Sequence, residues 1–233
     1  MWKLIRLEWK KYHTKKYIMK QAVVFVVLGI LFFAMCYYVP IDAELGISES
    51  APEVANMKEQ IELLTNLVFL VFTSSMLSSF IIKAYNNKTQ SLMFCYPISR
   101  KKIILSQMLA VWIFCAVALF LGKLFIYLLL VLSSEVGTGL PLGYDMLSAN
   151  FYLQIILKTV LTVTLAFIPL YIGKLMMSSR AVIITSFLLF SVMNGNIGDL
   201  TLRTNMILPV FLFGISLICG FLTVHNVEKE DVM

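Results

Sequence analysis

The sequence predicts an all-α integral membrane protein of about six transmembrane helices, with an amphipathic interfacial helix first and both termini in the cytoplasm. Three observations predict it. Hydrophobic residues make up 60% of the 233-residue chain and charged residues 14%, against about 45–50% and about 25% in soluble domains. The apolar residues gather into six runs, each near the roughly 20 residues that a helix needs to cross a bilayer. The basic residues concentrate in alternate connections between those runs. A water-soluble fold of this size has too little interior to hide so much apolar side chain, and lipid is the natural solvent for the excess.

The leader, residues 1–20, comes first. Trp2, Ile5, Trp9 and Tyr12 recur at helical spacing, and Lys3, Arg6, Lys10 and Lys11 fill other faces. Such a helix lies in the inner interface, aromatics among headgroups and lysines on anionic lipid. Two roles stay open for it: a topology anchor alone, or an elbow helix packed against the membrane bundle. It does not read as a cleaved signal, because the first apolar run starts only near Gln21 and no A-x-A-like site follows.

The single membrane domain, 21–233, then contains spans at about 21–39, 61–82, 103–132, 151–172, 181–197 and 206–224. Two depart from the expected length. The third has about 30 residues, or roughly 45 Å as one helix, and either tilts, projects from the bilayer or breaks at Gly122-Lys123. The fifth is short and must borrow Asn194 to Ile197 to span. Between the fifth and sixth, Asn194-Gly195-Asn196-Ile197-Gly198-Asp199 reads as a tight turn, with a partly re-entrant outer gate as the alternative.

Charge fixes the expected orientation. With the amino terminus inside, the inner segments 1–20, 83–102, 173–180 and 225–233 hold seven, five, two and one Lys or Arg, fifteen in all. The outer segments hold Lys58 and Arg203 alone. That bias follows the positive-inside rule, and the reverse topology would violate it.

Two lysines interrupt apolar runs. Lys123 and Lys158 would each cost about 2.5–3.5 kcal/mol at a bilayer centre on the insertion scale. Lys123, some twenty residues into its run, reads as snorkelling to the outer headgroups. For Lys158, deeper in its span and followed by Thr159, Thr162 and Thr164, snorkelling and a place with Thr162 on a translocation path both stay open. Pro169 and Gly173 further along the same run allow a bend.

The inner loop 83–102 is the most informative segment. Its middle, Ser91 to Tyr96, is apolar for a stretch between two basic ends. Leu92, Met93 and Tyr96 fall on one side of a short helix. Pro97 ends it, and Ser99 can cap the next span. Apolar side chains there need a partner, which is either the inner leaflet or a cytoplasmic subunit.

Asn87-Lys88-Thr89, Leu92 and Tyr96-Pro97-Ile98-Ser99-Arg100 resemble the coupling segment of small ABC-type export permeases of the second ABC exporter superfamily, whose corresponding loop runs N-K-T-x-x-x-L-x-x-Y-P-I-S-R ahead of a basic cluster. The leader Leu4-Ile5-Arg6-Leu7-Glu8-Trp9-Lys10-Lys11 is similar to the start of such permeases. The outer loops are smaller than in larger members, so no external gating domain is carried over. The resemblance implies a permease subunit, not an enzyme, paired with an identical or different second permease subunit in a bacterial plasma membrane. It implies a separate cytoplasmic ATPase subunit that binds ATP and Mg, with no cofactor on this chain. It implies that Leu92, Met93, Phe94, Tyr96 and Pro97 dock the ATPase and that Arg100, Lys101 and Lys102 anchor the loop at the lipid surface. The implied cargo is a hydrophobic or peptide substrate, with antimicrobial peptide export or immunity as the leading case.

Other chemistries find no residues. No G-x-x-x-x-G-K-[ST], H-E-x-x-H or G-x-S-x-G occurs, and no paired carboxylates lie within a span. Four scattered cysteines form no C-x-x-C pair and read as small apolar fillers. His13 and His225 sit in the leader and tail and are not read as ligands. No nucleic-acid partner is expected. The alternatives to an exporter subunit are a stand-alone carrier or channel, and a membrane immunity protein that binds a peptide without an ATPase.

Overall fold

A computed structural model describes residues 2–11, 14–44, 57–82, 100–133, 148–194, 196–197, 200–201 and 207–225. These are helical apart from a few turn residues and one short antiparallel ladder. The helices are α1 (Trp2–Lys11), α2 (Thr14–Glu44), α3 (Met57–Phe80), α4 (Arg100–Ser133), α5 (Ala149–Leu165), α6 (Phe167–Leu175), α7 (Ser179–Asn194) and α8 (Ile207–His225). Among the described residues four segments are helical, long and apolar enough to cross a membrane: Tyr17–Ala34, Gln60–Phe80, Lys101–Leu132 and Ala149–Leu175. Ser179–Asn194 and Pro209–His225 are apolar but shorter.

Each membrane-length helix has two apolar faces, one packed and one bare. On α4, Cys115, Leu119, Ile126 and Leu130 are buried, while Val117, Leu121, Phe125, Leu128 and Leu132 are exposed at the same helical spacing. The same division recurs on α7 and α8, where Ile184, Leu188, Phe211 and Phe221 stand bare. A helix that is apolar all round belongs in lipid.

The packing divides into two compact units, one drawn from Met1–Thr14, Leu67–Ala116 and Val160–Met233, the other from Lys15–Asn66 and Val117–Thr159. In the first unit, Leu70, Leu165 and Leu189 form a core cluster joined by Ile168, Met193 and Leu212. In the second, α2 meets α4 through glycine. A Cβ on Gly29 would lie 3.1 Å from Leu129, and one on Gly122 would fall within the Phe25 ring. Small residues let helices approach closely where lipid supplies no hydrophobic drive.

Several boundaries differ from the sequence expectation. The break considered at Gly122 is absent, and α4 runs unbroken through it. This glycine opens space for Phe25 and does not end the helix. The span expected over 151–172 lies within one membrane-length segment, Ala149–Leu175, built of two helices that part at Ala166. Pro169 is the cause: it has no N–H for the carbonyl of Leu165, and its ring crowds that carbonyl. Ala166 turns back to Val163 at 3.3 Å, and Leu170 resumes the regular pattern with Ala166 at 3.3 Å.

The leader is also divided. Helix α1 ends at Lys11, and α2 already begins at Thr14. The span expected over 181–197 ends as helix at Asn194, whose side-chain amide donates to the Phe190 carbonyl at 3.0 Å. That bond adds a side-chain donor to a carbonyl in the last turns of the helix. Asn196–Ile197 then pairs antiparallel with Leu200–Thr201, Asn196 opposite Thr201 and Ile197 opposite Leu200. Asn196 and Ile197 are therefore not part of α7.

The α6–α7 corner closes through a Schellman pair of bonds, Ser178 N–H to Gly173 O and Met177 N–H to Lys174 O, both 3.1 Å. Met177 holds the left-handed position at φ 48°, where a side chain costs about 1–2 kcal/mol relative to glycine's freedom. Met177 is exposed, so little packing depends on it. Met177→Gly is therefore expected to stabilise the protein by about 1 kcal/mol, read as a rise of a few degrees in unfolding temperature in detergent. A fall would mean that the methionine side chain contributes packing that outweighs its strain.

Candidate functional site

Within the first unit, α1 is docked through a defined contact. Ile5 and Glu8 are buried, and the Trp9 indole N–H donates to the carbonyl of Ala110 at 3.1 Å. Trp2 stays exposed and meets Trp9 edge-on, with ring centroids 6.2 Å apart. Ala110 lies in the first third of α4, so α1 packs near the end of α4 where the 83–99 connection enters. An interfacial anchor alone would leave all its polar handles to headgroups. This helix commits one to a bundle helix 101 residues away. Trp9→Phe keeps the ring but loses the donor, and is expected to cost about 1 kcal/mol. Protease sensitivity of the leader should rise with it, and an unchanged digestion rate would remove this bond from the docking.

Two further features of this unit went unread in the sequence. Lys174 is buried, and its Nζ donates to the Thr223 carbonyl at 3.4 Å, near the carboxyl end of α8. The last carbonyls of a helix lack backbone donors, and an ammonium suits them. The second feature is a polar seam of buried residues: Thr73, Ser74 and Ser78 on α3 and Ser106 and Gln107 on α4. Ser74 and Ser106 bond back to their own helices at 2.7 Å. Neither amide atom of Gln107 has a hydrogen-bond partner among the described residues.

The second unit contains an ion pair and a further buried lysine. Glu62 on α3 and Lys158 on α5 form an ion pair. The Glu62 side chain is 12% exposed and that of Lys158 42%. Lys123 on α4 is 1% exposed, with Glu62 and Lys158 within electrostatic reach. Its Nζ has no hydrogen-bond partner among the described residues. The snorkelling expected of Lys123 is therefore wrong. Leu121 and Phe125 take the bare face of α4, while the phase of Gly122, Lys123, Ile126 and Tyr127 turns inward. Buried Thr65 and Thr159 belong to the same unit, and their hydroxyls also lack partners among the described residues. Tyr127 stacks edge-on against Phe151 at 5.1 Å and is buried with it.

The expected site residues fare as follows. Leu92, Met93, Phe94, Tyr96 and Pro97 lie outside the described residues. Arg100, Lys101 and Lys102 open α4, with Lys102 exposed. Cations at a helix amino terminus oppose its dipole by about 0.3–1 kcal/mol each. Anionic headgroups would offset that cost. Lys158 belongs to the Glu62 pair, and Thr162 is buried one turn further along α5. Glu62 was the residue missed. Its signal was present in the polar positions Glu62, Thr65 and Asn66, which share one face of the helix.

These helices, bare on one side and polar within, define a helical membrane protein. The chain is similar end to end to a protein of Bacillus subtilis (strain 168), "Uncharacterized protein YcbO", at 22% identity over 231 residues, 98% of this chain and 99% of that one. No family model matches the chain, and no solved structure matches it.

Proposed function

We propose that this chain is the membrane-spanning permease subunit of an ATP-driven exporter, with six spans, both termini cytoplasmic, in a bacterial plasma membrane. A second permease subunit completes the pathway. A separate cytoplasmic ATPase binds ATP and Mg and drives export of a hydrophobic or peptide substrate. One observation carries the reading: the segment from Asn87 to Arg100, apolar in its centre and flanked by basic residues, joins two helices of membrane length. An apolar stretch so placed needs a protein or lipid surface, and its order of residues resembles that of a coupling loop. The docking of α1 on α4 supports it, because a leader locked to the bundle can move with it. The charge bias of the connections supports the orientation.

The reading is tested by purifying the tagged chain gently from its native membrane and identifying what accompanies it. A stoichiometric chain with a phosphate-binding loop is expected. In the reconstituted complex, Leu92→Asp or Tyr96→Asp is expected to abolish stimulation of ATP hydrolysis, because a buried carboxylate would face an apolar dock. Retained stimulation in an assembled complex would remove these residues from the interface. Transport by the chain alone in liposomes would replace the exporter reading with a stand-alone carrier.

A further inference from the structure

The second unit encloses an imbalance of charge. Lys123 and Lys158 face a single described carboxylate, Glu62. Glu62 is already engaged by Lys158. Lys123 retains three donor positions, at 1% exposure, without a hydrogen-bond partner among the described residues. The hydroxyls of Thr65 and Thr159 are further donors in the same state. An ammonium in apolar surroundings is costly unless it is paired. Residues of this kind inside a membrane bundle mark ligand or ion paths.

The depth limits what fits. Lys123 is nine residues from Leu132 at the end of its span, and Lys158 nine from Ala149 at the start of its own. At 1.5 Å per residue both lie roughly 14 Å along their helices. An anion at that depth needs an apolar body to carry it into the bilayer. The surroundings suit one, with Phe151, Ile155, Ile126 and Leu130 buried in the same unit.

We propose that the Lys123 cluster binds the anionic head, carboxylate or phosphate, of an amphiphile held within the membrane domain. Lys123 supplies the charge-assisted donors. Glu62 keeps Lys158 in place and limits how tightly an anion is held. Identifying the bound molecule with the exported one rests on the exporter reading; the binding itself does not.

The test uses the full chain alone, without any ATPase, in nanodiscs of phosphatidylcholine. N-dodecanoyl glycine and dodecyl phosphate are titrated, with dodecyl maltoside as the uncharged control, and binding is read by calorimetry and by the rise in unfolding temperature. Both anions should bind measurably more tightly than the control. Lys123→Met should weaken them by about tenfold to a hundredfold, the ratio for one charge-assisted hydrogen bond. Lys123→Arg should restore most of it. Glu62→Gln should tighten binding, an effect that a merely structural carboxylate would not produce. Equal affinity in wild type and Lys123→Met, or for anionic and uncharged amphiphiles, would overturn the proposal. Nanodiscs containing phosphatidylglycerol separate the sources. Competition that depends on Lys123 assigns the site to lipid headgroups, and undiminished binding of the added anions assigns it to a soluble amphiphile. Failure here would leave ATPase co-purification untouched, and absence of an ATPase would leave this binding intact, so the two readings fail separately.

Discussion

Glu62→Leu is expected to destabilise the protein by about 3 kcal/mol, and Lys123→Met in the same chain to return most of that loss. Removing one partner of a buried ion pair typically costs about 3–5 kcal/mol, because the other charge is left unpaired in apolar surroundings. Two lysines depend on this one carboxylate among the described residues, and they do so unequally. Lys158 is 42% exposed at its side chain and can swing towards headgroups or water when Glu62 is lost. Lys123, at 1%, has no such exit. The expected cost is therefore mostly the cost of Lys123, which sets it at the lower end of the range. Lys158→Met alone should cost only about 1 kcal/mol, since Glu62 would keep Lys123 as its counter-charge.

The double variant Glu62→Leu/Lys123→Met replaces a charged cluster by apolar groups of similar volume, an exchange that is often neutral or stabilising. Its expected stability is within about 1 kcal/mol of the parent. Unfolding titrations of the four proteins in mixed micelles give the coupling directly. If Glu62→Leu costs no more than Lys158→Met, the carboxylate is not what holds the buried ammonium, and the cluster must be balanced elsewhere.

Membrane-length helices were legible in the sequence because hydropathy alone decides them. Each needs only lipid outside and an apolar contact inside, and no knowledge of partners. The division of the fourth run was half legible. Pro169 announces a defect, but the break falls at Ala166 because the proline acts on the carbonyl four residues back. The rotational phase of α4 was not legible. Phe125 and Leu121 outside and Ile126 and Leu130 inside are alike in hydropathy, so nothing in the run told that Lys123 faces inward. The Glu62–Lys158 pair joins residues 96 apart and appears only when α3 and α5 meet. The Trp9 bond to Ala110, 101 residues away, was hidden for the same reason, since headgroup and bundle are equal prospects for an indole read from sequence. Residues 87–100 carry the strongest sequence signal in the chain because they form a local pattern, which needs no tertiary neighbour to be seen.

Gly173→Ala should destabilise the protein by about 2 kcal/mol, although helix propensity alone predicts the reverse. Alanine is favoured over glycine in a helix interior by about 1 kcal/mol. Against this, a Cβ at Gly173 would overlap Cγ2 of Val182 on α7 and approach Cδ1 of Ile82 to 3.1 Å. Val182 is fully buried, and a β-branched side chain in a helix has essentially one rotamer available. It cannot turn away, so α6 and α7 must separate. Their corner is closed by the Ser178 bond to the carbonyl of Gly173 itself, which leaves the separation little room. Overpacking of this kind costs about 1–3 kcal/mol, and with no compliant neighbour the clash outweighs propensity. Val182→Ala makes the missing space, so Gly173→Ala/Val182→Ala should be more stable than the sum of the two single variants by about 2 kcal/mol. Gly214 on α8 supplies the control, since a Cβ there would meet nothing within 4 Å. Gly214→Ala should show the bare propensity gain of about 1 kcal/mol or less. If both glycine variants stabilise alike, the close approach of α6 to α7 is not a constraint on this fold; opposite signs would show that Gly173 sets the spacing on which the buried Lys174 contact with α8 depends.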